Sequence, residues 1–201
     1  STVVQAKPYI PAGQLIVSVV KGIERETLMT MTEVIEDVLG GDIPDARIVA
    51  LSGPTHAEEV AAGLPTAIVA ACPDLAAARE VQNIFMSLQF RVYVNSDARG
   101  VQLCGALKNV IALASGIAHG MGFGDNTRAA IITRGMAEMS RLGIAMGCAP
   151  ETFFGLAGIG DLVVTCMSVH SRNNSCGMMI GQGVPLDEAL SRVGMVVEGV
   201  N

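Results

Sequence analysis

Arg47-Ile48-Val49-Ala50-Leu51-Ser52-Gly53-Pro54-Thr55-His56-Ala57-Glu58 passes from a β-branched, apolar run through a Gly-Pro turn into helix-forming residues. A short apolar run closed by a turn reads as a buried strand, and the change of pattern beyond it reads as entry into a helix. Thr55 and Glu58 have the spacing of a capping box for a helix starting at His56. One strand feeding one helix is the repeating unit of an α/β sheet.

The alternation extends to both sides. Residues 15–20 read as a strand, and residues 27–39 carry Leu28, Met31, Ile35 and Val38 on one helical face before Gly40-Gly41 ends it. Past the Gly-Pro turn come a strand over 66–72, a helix capped by Asp74 and a strand over 90–95. The order βαβαβαβ predicts a parallel sheet covered by helices over residues 1–97. From Arg99 onward the β-runs vanish, and helical segments break only at residues 120–126, 147–150, 155–160 and 181–185. The expected fold class is therefore α/β plus all-α, with an all-helical second domain over 98–201. A dinucleotide-binding sheet normally begins with strand, G-x-G-x-x-G and helix. Gly155-Leu156-Ala157-Gly158-Ile159-Gly160 lies between helices with no strand before it, so it is not that fingerprint, and the chain is expected to begin mid-domain.

Composition narrows the function. Half of the 201 residues are apolar and 16% are charged, a balance that fills a core. Net charge is −6, and all of it falls on residues 1–97, which hold six basic and twelve acidic side chains, leaving the second half neutral. No cluster of Lys and Arg exists to neutralise nucleic-acid phosphates. The longest uncharged stretch, residues 109–124, is short of a membrane span and contains four glycines. Five scattered cysteines without a C-x-x-C pair read as reduced thiols, pointing to a cytoplasmic protein with no metal site. The three histidines are far apart in sequence and unpaired by spacing, so no His-based triad is expected.

Four places could carry chemistry. Lys21 follows the first strand, where ligands of open α/β sheets bind, or is an ordinary solvated lysine. The turn over 53–57 presents free amides to an anion, or is a plain βα turn. Lys108 lies on a helix whose apolar stripe runs through Leu103, Leu107, Val110, Ala114 and Ile117. At 100° per residue it falls off that stripe, beside Cys104, Ala112 and Ser115, as a half-buried ammonium or a surface lysine. Asp161, at a helix start, is its charge partner or an N-cap. Ser171-Arg172-Asn173 brings a hydroxyl, a guanidinium fork and an amide to a helix N-terminus, as a phosphate site or a capping turn.

The strings Gly105-Ala106-Leu107-Lys108-Asn109-Val110, Gly122-Phe123-Gly124-Asp125-Asn126, Gly155-Leu156-Ala157-Gly158, Asp161-Leu162, Thr165-Cys166 and Ser171-Arg172-Asn173 occur in that order. With Val20-Lys21-Gly22, Ser52-Gly53-Pro54-Thr55 and Val196-Val197-Glu198-Gly199, they resemble the bacterial NAD(P)-dependent glycerol-3-phosphate dehydrogenases over essentially the whole chain. The resemblance implies the later part of a Rossmann-like dinucleotide-binding domain followed by a helical substrate domain, with NAD or NADP as cofactor. It implies reversible hydride transfer between the cofactor and dihydroxyacetone phosphate, giving sn-glycerol 3-phosphate for phospholipid synthesis. Lys108 matches the catalytic lysine, and Asp161 and Lys21 match residues holding that lysine and the substrate. Gly53, Thr55, Ser171, Arg172 and Asn173 match contacts to glycerol phosphate. Lys21, Ala57, Arg172, Val196 and Glu198 match positions touching the cofactor. His56 and Asn174 depart from the family pattern, at places where an aromatic and a basic or aromatic residue are expected.

Two other readings compete: a related β-hydroxyacid dehydrogenase, for which the Ser171-Arg172-Asn173 group would be idle, and a fragment that holds phosphate without turnover. The missing glycine-rich half and last helices suggest truncation. A sheet cut there would expose an apolar parallel edge, and such edges template association, so a homo-oligomer is expected.

Overall fold

A computed structural model describes residues 2–200. A first short helix, α1 (Thr2–Ala6), leads to β1 (Leu15–Ser18), α2 (Met31–Leu39), β2 (Arg47–Ser52), α3 (Ala57–Ala61), β3 (Thr66–Ala71), α4 (Leu75–Phe85) and β4 (Phe90–Asn95). The strands lie side by side in chain order. Side chains alternate across a strand, so β2 serves two cores. Val49 and Leu51 pack with Ile68, Val92 and α4 residues Ala77 and Val81, whereas Ala50 turns to the opposite face with Val69, Ala71 and Val101.

The sheet is mixed, not parallel throughout. β1 runs parallel to β2 and β3 parallel to β4, but β2 and β3 are antiparallel, with Ala50 opposite Ala71 and Ser52 opposite Val69. A parallel return must carry the chain back along the sheet. Five-residue α3 spans only about 7.5 Å against about 20 Å for six-residue β2. Gly63, at φ +71, then redirects the backbone into β3 antiparallel to β2.

Two helix starts also differ from expectation. The capping box forms at Thr30 and Glu33, not Thr55 and Glu58, so α2 begins four residues later than the periodicity predicts. Ahead of it, Glu24 accepts from the backbone and hydroxyl of Thr27 and closes a turn that places Leu28 outside the helix. Thr55 instead directs its hydroxyl to the Gly53 carbonyl, and α3 starts at Ala57 after an uncapped His56. Asp74 caps α4 through the Ala76 amide, as predicted.

The helical half is built on α5 (Ala98–Gly120), surrounded by α6 (Asp125–Ala145), α7 (Pro150–Phe153), a π-helical turn (Leu156–Gly160), α8 (Asp161–Met167), α9 (Arg172–Gly181) and α10 (Leu186–Val193). The predicted stripe of α5 is only in part its buried face: Leu103 is fully buried, but Val110 and Ala114 are exposed, while Cys104, Lys108, Ala112 and Ser115 off the stripe are buried. Small side chains let neighbours approach closely, so the helix buries the face with least bulk. Against α9 the approach brings backbones together. A Cβ at Gly116 would stand 2.2 Å from the Asn174 carbonyl oxygen, and one at Gly177 2.2 Å from that of Leu113. α5 is long and apolar enough to cross a membrane, yet 61% of its most apolar window is buried inside the fold. It serves here as the core helix.

Candidate active site

Lys108 is 6% exposed, held where the small face of α5 meets the first turn of α8. Its ammonium donates to Asp161 Oδ1 at 2.5 Å and to Thr165 Oγ1 at 2.6 Å. Thr165, one turn after Asp161, donates in turn to the Asp161 carbonyl at 2.5 Å. Asp161 is 1% exposed and shared: its Oδ2 accepts from Lys21 at 2.6 Å. Two cations on one buried carboxylate supply its electrostatic compensation, and removing one partner of such a pair costs about 3–5 kcal/mol.

Burial pushes the Lys108 ammonium down from 10.5 to about 8; the Asp161 charge opposes this and the Lys21 charge adds to it. Desolvation disfavours the charged form and wins over the carboxylate. An ammonium has three N–H donors. Asp161 and Thr165 take two of those on Lys108, leaving one without a protein acceptor among the described residues.

Lys21 reaches Asp161 because β1 ends at Ser18 and the chain leaves the sheet through exposed Val19 and Val20. Its stem crosses α5 over Gly105, where a Cβ would come within 3.2 Å of Lys21 Cγ and 3.1 Å of Ser52 Oγ. Lys21 also donates to the Gly53 carbonyl at 3.2 Å, which ties the βα turn to the cluster.

Lys21, Lys108 and Thr165 of the cluster line a cleft of about 1000 Å³. One wall is apolar, from Leu51, Val60, Ile68, Phe85 and Phe90. The other carries Lys21, Lys108, Asn109, Thr165, Ser171, Arg172, Asn173 and Glu198. Ser171 caps α9 by accepting from the Asn174 amide at 3.2 Å, which presents Arg172 in the first turn. Arg172 pairs with Glu198 at 2.5 Å, and Asn173 donates to the other Glu198 oxygen at 3.1 Å while accepting from the Gly199 amide at 2.7 Å. A Cβ at 199 would lie 2.5 Å from the Asn109 carbonyl oxygen, so only glycine lets the 196–199 segment lie against α5.

Of the residues singled out in sequence, Lys21, Thr55, Ala57, Lys108, Ser171, Arg172, Asn173 and Glu198 line this cleft. Asp161 lies beneath it, Gly53 touches it through Lys21, and Val196 is 63% exposed away from its lining. Sequence reasoning gave no role to Thr165 or Asn109. Thr165 was findable, four residues after Asp161 on one helical face. Asn174 is buried and donates to the Cys166 carbonyl at 2.9 Å, joining α8 to α9. His56 and His170, unpaired by spacing, meet with ring centroids 5.8 Å apart on the cleft wall. Burial raises the Cys104 thiol to about 12 and the Cys166 thiol to about 11, which keeps both protonated and poor as nucleophiles. No group of three or more His, Cys, Asp or Glu side chains able to hold a metal occurs among the described residues.

A Rossmann-like α/β half joined to a helical half that supplies a buried lysine defines the class of protein. The sequence model described as NAD-dependent glycerol-3-phosphate dehydrogenase C-terminus matches residues 97–201, and that described as the N-terminus of the same enzyme matches residues 1–78. The chain belongs to the NAD-dependent glycerol-3-phosphate dehydrogenase family. It is 60% identical over 198 residues to glycerol-3-phosphate dehydrogenase (NAD(P)+) 2 of Lactobacillus delbrueckii, covering 98% of this chain and 59% of that protein. It is 58% identical over 193 residues to the Pelotomaculum thermopropionicum glycerol-3-phosphate dehydrogenase (NAD(P)+), covering 96% and 55%. The crystal structure of glycerol-3-phosphate dehydrogenase from Coxiella burnetii superposes with a TM-score of 0.93 at 40% identity, over 99% of this chain and 60% of that one. The chain thus spans under two thirds of the length of these relatives.

Proposed function

We propose that this chain supplies the substrate-binding and proton-transfer parts of an NAD(P)-dependent glycerol-3-phosphate dehydrogenase, interconverting dihydroxyacetone phosphate and sn-glycerol 3-phosphate for phospholipid synthesis in the cytoplasm. The observation that carries the reading is one cleft lined by both a buried lysine whose pKa is lowered and an arginine at a helix N-terminus.

The cleft fits the nicotinamide end of the cofactor. Its apolar wall offers a flat ring a surface, and Ala57, Arg172 and Glu198 stand at its rim. Val196 precedes Glu198 in the same segment and completes the proposed cofactor set with Lys21. No strand, G-x-G-x-x-G and helix unit lies among the described residues, so the adenosine end has no cradle here. When bound, NAD or NADP would supply or accept the hydride exchanged with the substrate C2 carbon, with Lys21, Ala57, Arg172, Val196 and Glu198 holding it.

Lys108 gives the C2 oxygen its proton on reduction and removes it on oxidation, using the N–H that Asp161 and Thr165 leave free. Asp161 fixes the position of that ammonium, and Lys21 holds Asp161 and the substrate together. Gly53 and Thr55 shape the turn beside the substrate. Ser171, Arg172 and Asn173 take the phosphate, with Arg172 exchanging its Glu198 partner in part for phosphate oxygens. We assign residues 1–97 to the nucleotide-side domain and 98–201 to the substrate domain, and we expect the working enzyme to be a homo-oligomer.

The test uses a chimera carrying this chain in place of the 198 matching residues of the Lactobacillus delbrueckii relative. Arg172→Lys keeps the charge and loses the fork. Its kcat/KM for dihydroxyacetone phosphate should fall about 10- to 100-fold, the worth of one charge-assisted hydrogen bond. Unphosphorylated dihydroxyacetone should lose much less. Equal proportional losses would remove the phosphate assignment and favour a hydroxyacid substrate.

A further inference from the structure

The phosphate end of the cleft contains two side chains that the reaction above does not use. His56 comes from the turn before α3 and His170 from the loop before α9, and both line the cleft beside Ser171 and Arg172. Their rings meet at 5.8 Å. Nε2 of His56 is occluded and makes no well-formed hydrogen bond, while the Val164 backbone lies near enough to favour the charged ring. A buried polar atom without a partner is costly, so its persistence calls for a role.

Four groups face the His56 ring: Lys108 from α5, Glu59 from α3, the Val164 backbone from α8 and His170. Burial and the Lys108 charge oppose protonation and win, holding the ring below its ordinary value, while the Val164 backbone and Glu59 favour the charged form. That balance holds with the cleft free of a ligand. A dianion entering beside Arg172 adds negative charge on the side where the cations now dominate, and an opposite charge within a few ångströms favours the protonated imidazole.

We propose that His56, packed against His170, is a proton-dependent extension of the anion site that takes up a proton from solvent when a phosphoester binds at Ser171-Arg172. This rests on reading the Arg172 end as the phosphate site. His56 then acts as a positioning element: its charge strengthens anion binding as pH falls through the ligand-raised titration range, and the gain is complete below the range of the free protein, where the ring is protonated in both states. No step in proton transfer to C2 passes through it.

The test follows the Cε1–H resonances of all three histidines in the 201-residue chain across pH, without anion and with saturating inorganic sulfate. Sulfate is a dianion that does not itself titrate in this range. The expected result is an upward shift of about one unit in the midpoint of His56, an order of magnitude in proton affinity. His119, in the last turn of α5, should not move. His56→Phe and His170→Gln assign the signals; His170→Gln also removes a neighbour that opposes protonation of His56, so the His56 shift should persist in it. Arg172→Met should abolish the His56 shift. Sulfate that binds and perturbs Arg172 but leaves the His56 midpoint unchanged overturns the inference while sparing the phosphate site. A shift that survives Arg172→Met puts the anion elsewhere and overturns it too. No sulfate binding at all removes the phosphate assignment and the inference together.

Discussion

Burial of Lys108 outweighs its carboxylate partner, and the ammonium is pulled down from 10.5 to about 8. Because the folded value is depressed, the ammonium is fully present below about 8 and is lost as pH rises through it. As an acid in dihydroxyacetone phosphate reduction, Lys108 must be protonated, so kcat should fall above about pH 8; as a base in glycerol 3-phosphate oxidation it must be neutral, so that rate should rise over the same range. Asp161→Asn removes the charge that raises the lysine, and the alkaline limb of the reduction profile should move to lower pH. Profiles of the chimera with and without Asp161→Asn check both statements, and a limb that stays fixed would separate Asp161 from Lys108. Much of this residue set was legible from the ordered motifs. The histidine pair was not, since two rings brought together from distant segments leave no local spacing to read.

Among the elements, α5 and α9 carry the site because they approach closely, and glycines at their contact permit it. A Cβ at Gly177 would meet the Leu113 carbonyl oxygen at 2.2 Å, a contact relieved only by moving a helix. Gly177→Val should therefore destabilise the chain by about 1–3 kcal/mol, the range for overpacking a filled interface. Gly41→Ala, whose Cβ meets nothing, should stay within about 0.5 kcal/mol. Thermal unfolding of both variants checks the pair, and equal losses would mean the helix contact is looser than described. Strand positions were legible to within two residues at each end because alternation marks them directly. Strand direction was not, because a thirteen-residue link accommodates either direction and the brevity of α3 decides it. The buried face of α5 was also hidden: a helix apolar nearly all round gives a weak stripe, and packing, not periodicity, chose the small-residue side.

In the whole molecule, the sheet ends on β1, whose four residues are half-buried to buried and lead into exposed Val19 and Val20. Unpaired strand edges invite pairing with other chains. The 201-residue chain alone should self-associate in a concentration-dependent way, read by light scattering, and a charged substitution at exposed Val19 should reduce that association; a monomer at all concentrations would show the edge to be covered. Alone it should also show no measurable NAD(P)H oxidation with dihydroxyacetone phosphate, because no pyrophosphate cradle lies among the described residues. The central claim is that the buried lysine lining the cleft moves the proton. Steady-state reduction of dihydroxyacetone phosphate by the Lys108→Met chimera tests it most directly: kcat should fall at least ~10²-fold with cofactor affinity nearly unchanged, whereas a near-normal kcat would contradict the account.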